Sequence, residues 1–197
     1  HEHPPLAFGL QSLFFFIFGD SIYVERFYSL GTCFITGLLI HFIWKELNKD
    51  SKFSWIPLLL WVSIPTVSWT FANNMLENTM GIFLCLSVWF YLKSLKINRW
   101  NYLISSGLML LFGALTKGFV ALFPWALPFF LWLVSRQISF KRMIADSLVL
   151  IGSTLAPFIL LIIVSPNAFD SLQKYFFKQV VGSIENIQTV KSRFYIL

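Results

Sequence analysis

Polar residues along this chain gather in short clusters between long apolar stretches. Seven apolar runs result, at 6–18, 27–44, 55–72, 79–95, 101–116, 119–135 and 144–164. A membrane-spanning helix takes about 20 residues, within a range of roughly 17–25. The last six runs approach that length, some with their flanks counted, and each predicts a spanning helix. The first is too short to cross and predicts an interfacial or re-entrant helix. Pro4 and Pro5 suit the opening turn of that helix, where a missing N–H costs nothing, and Gly19-Asp20 ends it. Pro57, Pro65, Pro124, Pro128 and Pro157 fall inside runs. Such prolines are tolerable in lipid, where neighbouring helices satisfy the freed carbonyls. No internal repeat of fixed period is present. The stretch 165–197 mixes polar and aromatic residues and reads as an outer loop, with an amphipathic helix near 168–182.

The basic residues orient these runs. Lys45, Lys49 and Lys52 follow the second run, Lys93, Lys96 and Arg99 close the fourth, and Arg136, Lys141 and Arg142 follow the sixth. Positions 73–78 hold no Lys or Arg, and 117–118 hold only Lys117. If runs two to seven each cross, all three basic clusters fall on one side, which the distribution of positive charge marks as the cytoplasm. Segments 1–26, 73–78, 117–118 and 165–197 then face outward. Trp44, Trp55 and Trp100 lie at inner ends of their runs and Trp69 near an outer end, matching the headgroup preference of tryptophan.

Composition agrees. Of 197 residues, 57% are hydrophobic, 19% aromatic and only 12% charged. That charged share is about half that of an ordinary soluble domain, and a water-soluble globule of this size could not hide so much apolar surface. The fold class expected is therefore all-α and integral to a membrane. Disorder, collagen-like repeats and a disulfide scaffold are excluded by the same numbers. The net charge of +6 does not indicate nucleic acid, because the basic residues are scattered between apolar runs and form no stripe. Cys33 and Cys85 sit inside apolar runs, in no CxxC pattern, and read as small hydrophobes. The chain opens on His1 without a cleavable signal pattern, and it reads as a piece of a longer protein.

Candidate chemistry lies on the outer side. His1-Glu2-His3 offers acid and imidazole groups, although the spacing is not HExxH and Pro4 follows directly. Glu25-Arg26 opens the second run; an ion pair between the two, or an Arg26 reaching lipid phosphate, fits the interface. Glu77 is the only acid in the short segment between the third and fourth runs, where Asn78 or Thr79 would cap the next helix. Thr116-Lys117-Gly118 places a lone cation between two closely spaced apolar runs, at the rim of the outer leaflet. A cation there is placed to hold a phosphate.

Three segments together resemble one family. His3-Pro4-Pro5-Leu6, then Phe18-Gly19-Asp20, then Glu25-Arg26-Phe27-Tyr28-Ser29-Leu30 resemble, as one stretch, its "(K/H)PPL … FG … R-x-x-S-x-L"; Thr116-Lys117-Gly118 resembles its "TKG", and Asn74 to Asn78 sits where the family has an acidic residue in its second outer loop. The family is the polyprenyl-phosphate-sugar-dependent glycosyltransferases of the GT-C superfamily. It includes protein O-mannosyltransferases, bacterial aminoarabinose transferases of lipid A and the bacterial PMT-type domain. The resemblance covers roughly residues 1–140. It implies a GT-C-like bundle of about six transmembrane helices around an outer cavity, with the run 6–18 as a juxtamembrane helix. The chain divides accordingly into an outer loop at 1–26, six spans over 27–164 and an outer loop at 165–197.

The implied activity is transfer of a hexosyl or pentosyl group from a polyprenyl-phosphate carrier to a lipid, glycan or protein acceptor. It would take place on the outer face, periplasmic or extracellular, of a bacterial plasma membrane. Residue by residue, the resemblance assigns Glu77 to the second-loop acid of the catalytic machinery, where the family usually has Asp. It assigns Lys117, Arg26 and His3 to substrate or phosphate contact, His3 standing where aminoarabinose transferases have Lys. It matches Glu2 to a Glu that helps bind a divalent metal ion. The first catalytic acid would lie upstream of this chain, which makes the chain incomplete as an enzyme. A further His and Arg of the family have no clear match; Lys178 or Arg193 could substitute.

Two readings from other classes compete. A transporter or channel places charges at mid-membrane and favours paired repeats of broken helices, whereas here the polar clusters lie at the outer rim. A purely structural membrane subunit would be indifferent to loss of Glu77 and Lys117.

Overall fold

The computed structural model describes residues 4–48, 53–136 and 138–165. Two compact units are recognised, one of Pro4–Phe158 and one of His1–His3 with Ile159–Leu197. Of the second, only the last turns of one helix and Ser165 are among the described residues.

Every regular element among the described residues is helical: α1 (Leu6–Phe18), α2 (Ile22–Leu47), α3 (Trp55–Ser63), α4 (Pro65–Ala72), α5 (Leu76–Ser94), α6 (Arg99–Lys117), a 3-10 helix at Phe119–Ala126, α7 (Leu127–Phe130), a π-helical stretch at Leu131–Ser135 and α8 (Phe140–Val164). The all-α membrane class expected from hydropathy is what is observed. By length and composition, α2 and α8 are long and apolar enough to cross a membrane; α3 and α4, bent by 75°, make a third if they form one broken span.

The short first run is a helix with the expected bounds. It starts after Pro5, at its N-cap, so neither proline enters the first turn as expected. It stops at Gly19, whose φ of 90° is a conformation that L side chains avoid. Ser21 caps α2 by accepting from the Val24 N–H at 3.4 Å.

Two expected continuous helices are broken. The run 55–72 bends at Ile64-Pro65, because Pro65 has no N–H and holds Ile64 extended at ψ 117°. The run 119–135 passes from 3-10 through α to π geometry, with Pro124 inside the 3-10 segment and Pro128 early in α7.

α5 and α6 form the centre, joined by a turn at 95–98 and packed antiparallel. α2 runs parallel to α5: Tyr28 meets Thr79 at one end, hydroxyl to hydroxyl at 2.8 Å, and Glu46 meets Lys96 at the other, at 2.8 Å. α8 runs parallel to α6, since Asp146 meets Arg99 and, eight residues on in each helix, Thr154 donates to the Gly107 carbonyl at 3.0 Å. α1 packs against α2, α5 and α6, with Phe14 5.5 Å from the Tyr28 ring.

Packing is inverted relative to a soluble bundle. On α2, Phe27, Leu30, Phe34, Leu38 and Phe42 are exposed, while Ser29, Thr32 and Thr36 are buried on another face with Leu39. Lipid tails solvate the apolar face, and small or hydroxylated residues let helices approach. Ser87 and Ser106 join α5 to α6 at 3.0 Å between hydroxyl oxygens. Two apolar clusters complete the core: Met80, Leu84, Leu110 and Ala121, and Tyr91, Leu103 and Leu150, with Trp125 against both.

Candidate active site

Antiparallel α5 and α6 bring the start of one helix beside the end of the other. Glu77 lies in the first turn of α5 and Lys117 is the last residue of α6. A helix N-terminus favours an anion and a C-terminus a cation, so both helix dipoles support these charges where they stand. The two side chains form an ion pair between Lys117 Nζ and Glu77 Oε1. Both remain partly open, with side-chain exposures of 26% for Lys117 and 36% for Glu77. The pair is therefore accessible to a ligand arriving at this end of the bundle.

Local sequence explains the placement. Gly118 follows Lys117 with φ 93° and donates its N–H to the Ala114 carbonyl at 2.7 Å, closing α6 where a side chain would be strained. Thr116 is fully buried and donates back to the Phe112 carbonyl at 2.9 Å, which turns Lys117 away from the core. The start of α5 departs from expectation. Glu77 sits within the helix, the N-cap is Met75 without a side-chain bond, and neither Asn78 nor Thr79 caps. Both are buried, and their polar groups go elsewhere: the Asn78 amide donates to the Thr70 carbonyl at 2.9 Å and Thr79 meets Tyr28. These bonds tie α2, α4 and α5 together beneath Glu77.

Of the remaining site residues expected from the sequence, Arg26 is among the described residues. Arg26 is exposed on the first turns of α2, and among the described residues no ion pair joins it to Glu25. The expected Glu25–Arg26 pair is thus not formed: adjacent residues on a helix point about 100° apart, as its 3.6-residue turn dictates. Glu2 and His3 lie outside the described residues, as do Lys178, Arg193 and the helix expected near 168–182. Among the described residues no group of three or more His, Cys, Asp or Glu side chains could hold a metal ion. Lys117 beside Glu77 also disfavours a cation there, so the described residues do not fit the divalent ion implied for Glu2.

One charged cluster was not anticipated. Asp146, in α8, is fully buried and accepts from Arg99 through Nη2 at 2.6 Å and Nε at 3.1 Å. Arg142 Nε lies 3.6 Å from the other carboxylate oxygen, and the Tyr91 hydroxyl donates to it at 3.4 Å. The available signal was an isolated acid within an apolar run, which needs a partner at membrane depth.

Residues 2–169 match the family model described as dolichyl-phosphate-mannose-protein mannosyltransferase. The chain belongs to this family. The match covers α1 to α8, including both Glu77 and Lys117, and agrees with the resemblance to PMT-type GT-C glycosyltransferases drawn from the HPPL, ER-x-x-SL and TKG segments. The chain is also similar to a curated relative, the undecaprenyl phosphate-alpha-4-amino-4-deoxy-L-arabinose arabinosyl transferase of Wigglesworthia glossinidia brevipalpis. The two are 26% identical over 148 residues, which is 73% of this chain and 26% of the relative. The chain thus spans about a quarter of that relative's length. No solved structure matches the chain. As a member of a membrane glycosyltransferase family with apolar helices of spanning length, this is an integral membrane protein.

Proposed function

We propose that this chain forms part of a membrane glycosyltransferase that moves a sugar from a polyprenyl-phosphate carrier to an acceptor hydroxyl at the outer membrane surface. The observation that carries the reading is the Glu77–Lys117 ion pair, two residues 40 positions apart that meet at one end of the bundle. Family membership and the similarity to an arabinosyl transferase support the donor class.

The chemistry is coherent with such a pair. As the acceptor oxygen attacks the anomeric carbon, the bond from that carbon to the carrier phosphate breaks and its electrons pass to the phosphate oxygen. Lys117 stabilises that developing charge. An arriving phosphate competes with Glu77 for the ammonium, which releases the carboxylate to orient the acceptor hydroxyl or take its proton. The exposed Arg26 would add phosphate contact, and the resemblance assigns His3 the same role. Hexosyl or pentosyl transfer and the identity of the acceptor depend on contacts beyond this pair.

The test is Lys117→Ala in the full-length protein, with transfer measured from a polyprenyl-phosphate sugar. We expect a loss of about tenfold or more, the scale of one charged contact to a leaving group. Wild-type turnover in that variant would remove Lys117 from the reaction. Binding of polyprenyl phosphate further separates this reading from a transporter.

A further inference from the structure

At the end of the bundle opposite Glu77–Lys117 lies a cavity of about 170 Å³, lined by Glu46, Leu47, Leu92, Leu95, Lys96, Ile138 and Arg142. Its wall is half apolar and half charged. The charges do not cancel. Lys96 holds Glu46 through its carboxylate and its backbone carbonyl, both at 2.8 Å. Arg99 takes one oxygen of Asp146 with two N–H groups. With each acid matched to one cation, Arg142 is the surplus charge. Its Nε is buried and makes no hydrogen bond, standing 3.6 Å from Asp146, too far for one. Among the described residues its Nη2 reaches only the Ser94 carbonyl, at 3.4 Å.

A buried guanidinium N–H without an acceptor is costly, and the same side chain lines a space of ligand size. A guanidinium and an ammonium flanking one cavity suit a phosphate, and the leucines beside them suit a hydrocarbon chain. We propose that this cavity binds a phosphate group, presented by the headgroup of an anionic phospholipid in the leaflet at this end of the protein. Arg142 supplies a guanidinium charge and Lys96 a second positive charge. Leu47, Leu92, Leu95 and Ile138 cover the start of an acyl chain. The Asp146 carboxylate holds Arg99 and faces Arg142 from behind, fixing the guanidinium rather than the ligand.

The experiment is lipid retention by the full-length protein, purified in detergent with equimolar phosphatidylglycerol and phosphatidylcholine and read by native mass spectrometry. We expect at least fivefold preference for phosphatidylglycerol in the wild type, on the scale of one cation near an anionic headgroup. Arg142→Gln should abolish the preference and Arg142→Lys should keep most of it. Lys96→Gln, at a half-exposed position, gives an independent reduction should Arg142→Gln not fold. Inorganic phosphate at millimolar concentration separates the sources: displacement of the lipid assigns the site to free phosphate as well, and no displacement assigns it to lipid. Equal retention of the two lipids by the wild type, or an undiminished preference in both variants that remove charge, would overturn the proposal. A loss of transfer in Lys117→Ala with lipid retention intact would show the two sites to be separate.

Discussion

Asp146 shows how much one side chain can organise at membrane depth. It is fully buried, yet two arginines from different helices and a tyrosine reach it. Replacing it with Asn keeps the shape and removes the charge, leaving Arg99 and Arg142 facing each other across a neutral amide. Breaking a fully buried pair costs roughly 3–5 kcal/mol; with both arginines about a third exposed, we expect Asp146→Asn to cost about 2–3 kcal/mol. Thermal unfolding in detergent measures this, and an unchanged midpoint would show that the cluster contributes nothing to stability. Arg99 and Arg142 are legible in the sequence as members of basic clusters, and Asp146 is not. Their relation depends on α6 and α8 running parallel, which hydropathy does not encode. Glu77 and Lys117 were legible singly, through their isolation between apolar runs. Their pairing became visible only with the antiparallel packing of α5 and α6.

Elements follow the same division between what composition encodes and what packing decides. α1 was legible to its last residue, because Gly19 is an unambiguous stop. The breaks at Pro65 and Pro124 were not, since an apolar run reads alike whether straight, bent or wound as a 3-10 helix. Close helix approach was equally hidden. A Cβ built on Gly107 would lie 2.9 Å from the Leu150 carbonyl oxygen and would collide with the Ser153 hydroxyl, where α6 meets α8. Backbone cannot yield as a flexible side chain does. Gly81, in α5, has nothing within 4 Å of the same position. Gly107→Ala should therefore destabilise by about 1–3 kcal/mol, as overpacking does, in spite of alanine's better helix propensity. Gly81→Ala should be neutral or slightly stabilising. Paired unfolding measurements decide the matter, and equal effects at the two glycines would contradict the α6–α8 packing.

For the whole molecule, the helices that composition marks as spans are those with few buried residues. α2 and α8 are long and apolar enough to cross and expose long apolar faces; α5 and α6 sit among other helices and carry Glu77, Asn78, Lys93 and Arg99 near their ends. Apolar composition here measures contact with lipid more than passage across it. α5 has 19 residues, which at about 1.5 Å each reach about 28 Å, close to the roughly 30 Å of a hydrocarbon core. Lys45, Lys96 and Arg142 all lie at one end of this length, and the Glu77–Lys117 pair at the other. If α5 crosses with its basic end inside, cysteines at its two flanks must differ in accessibility. In a background with Cys33 and Cys85 replaced by Ser, the exposed Asn73→Cys should react with a membrane-impermeant maleimide on intact cells, whereas Ile97→Cys, also at an exposed position, should react only after permeabilisation. The reverse pattern would place Glu77 and Lys117 on the cytoplasmic face and require a donor presented there. Labelling of both from outside would show that α5 does not cross, and would reduce the six expected spans to a bundle in which only the most apolar helices reach both surfaces.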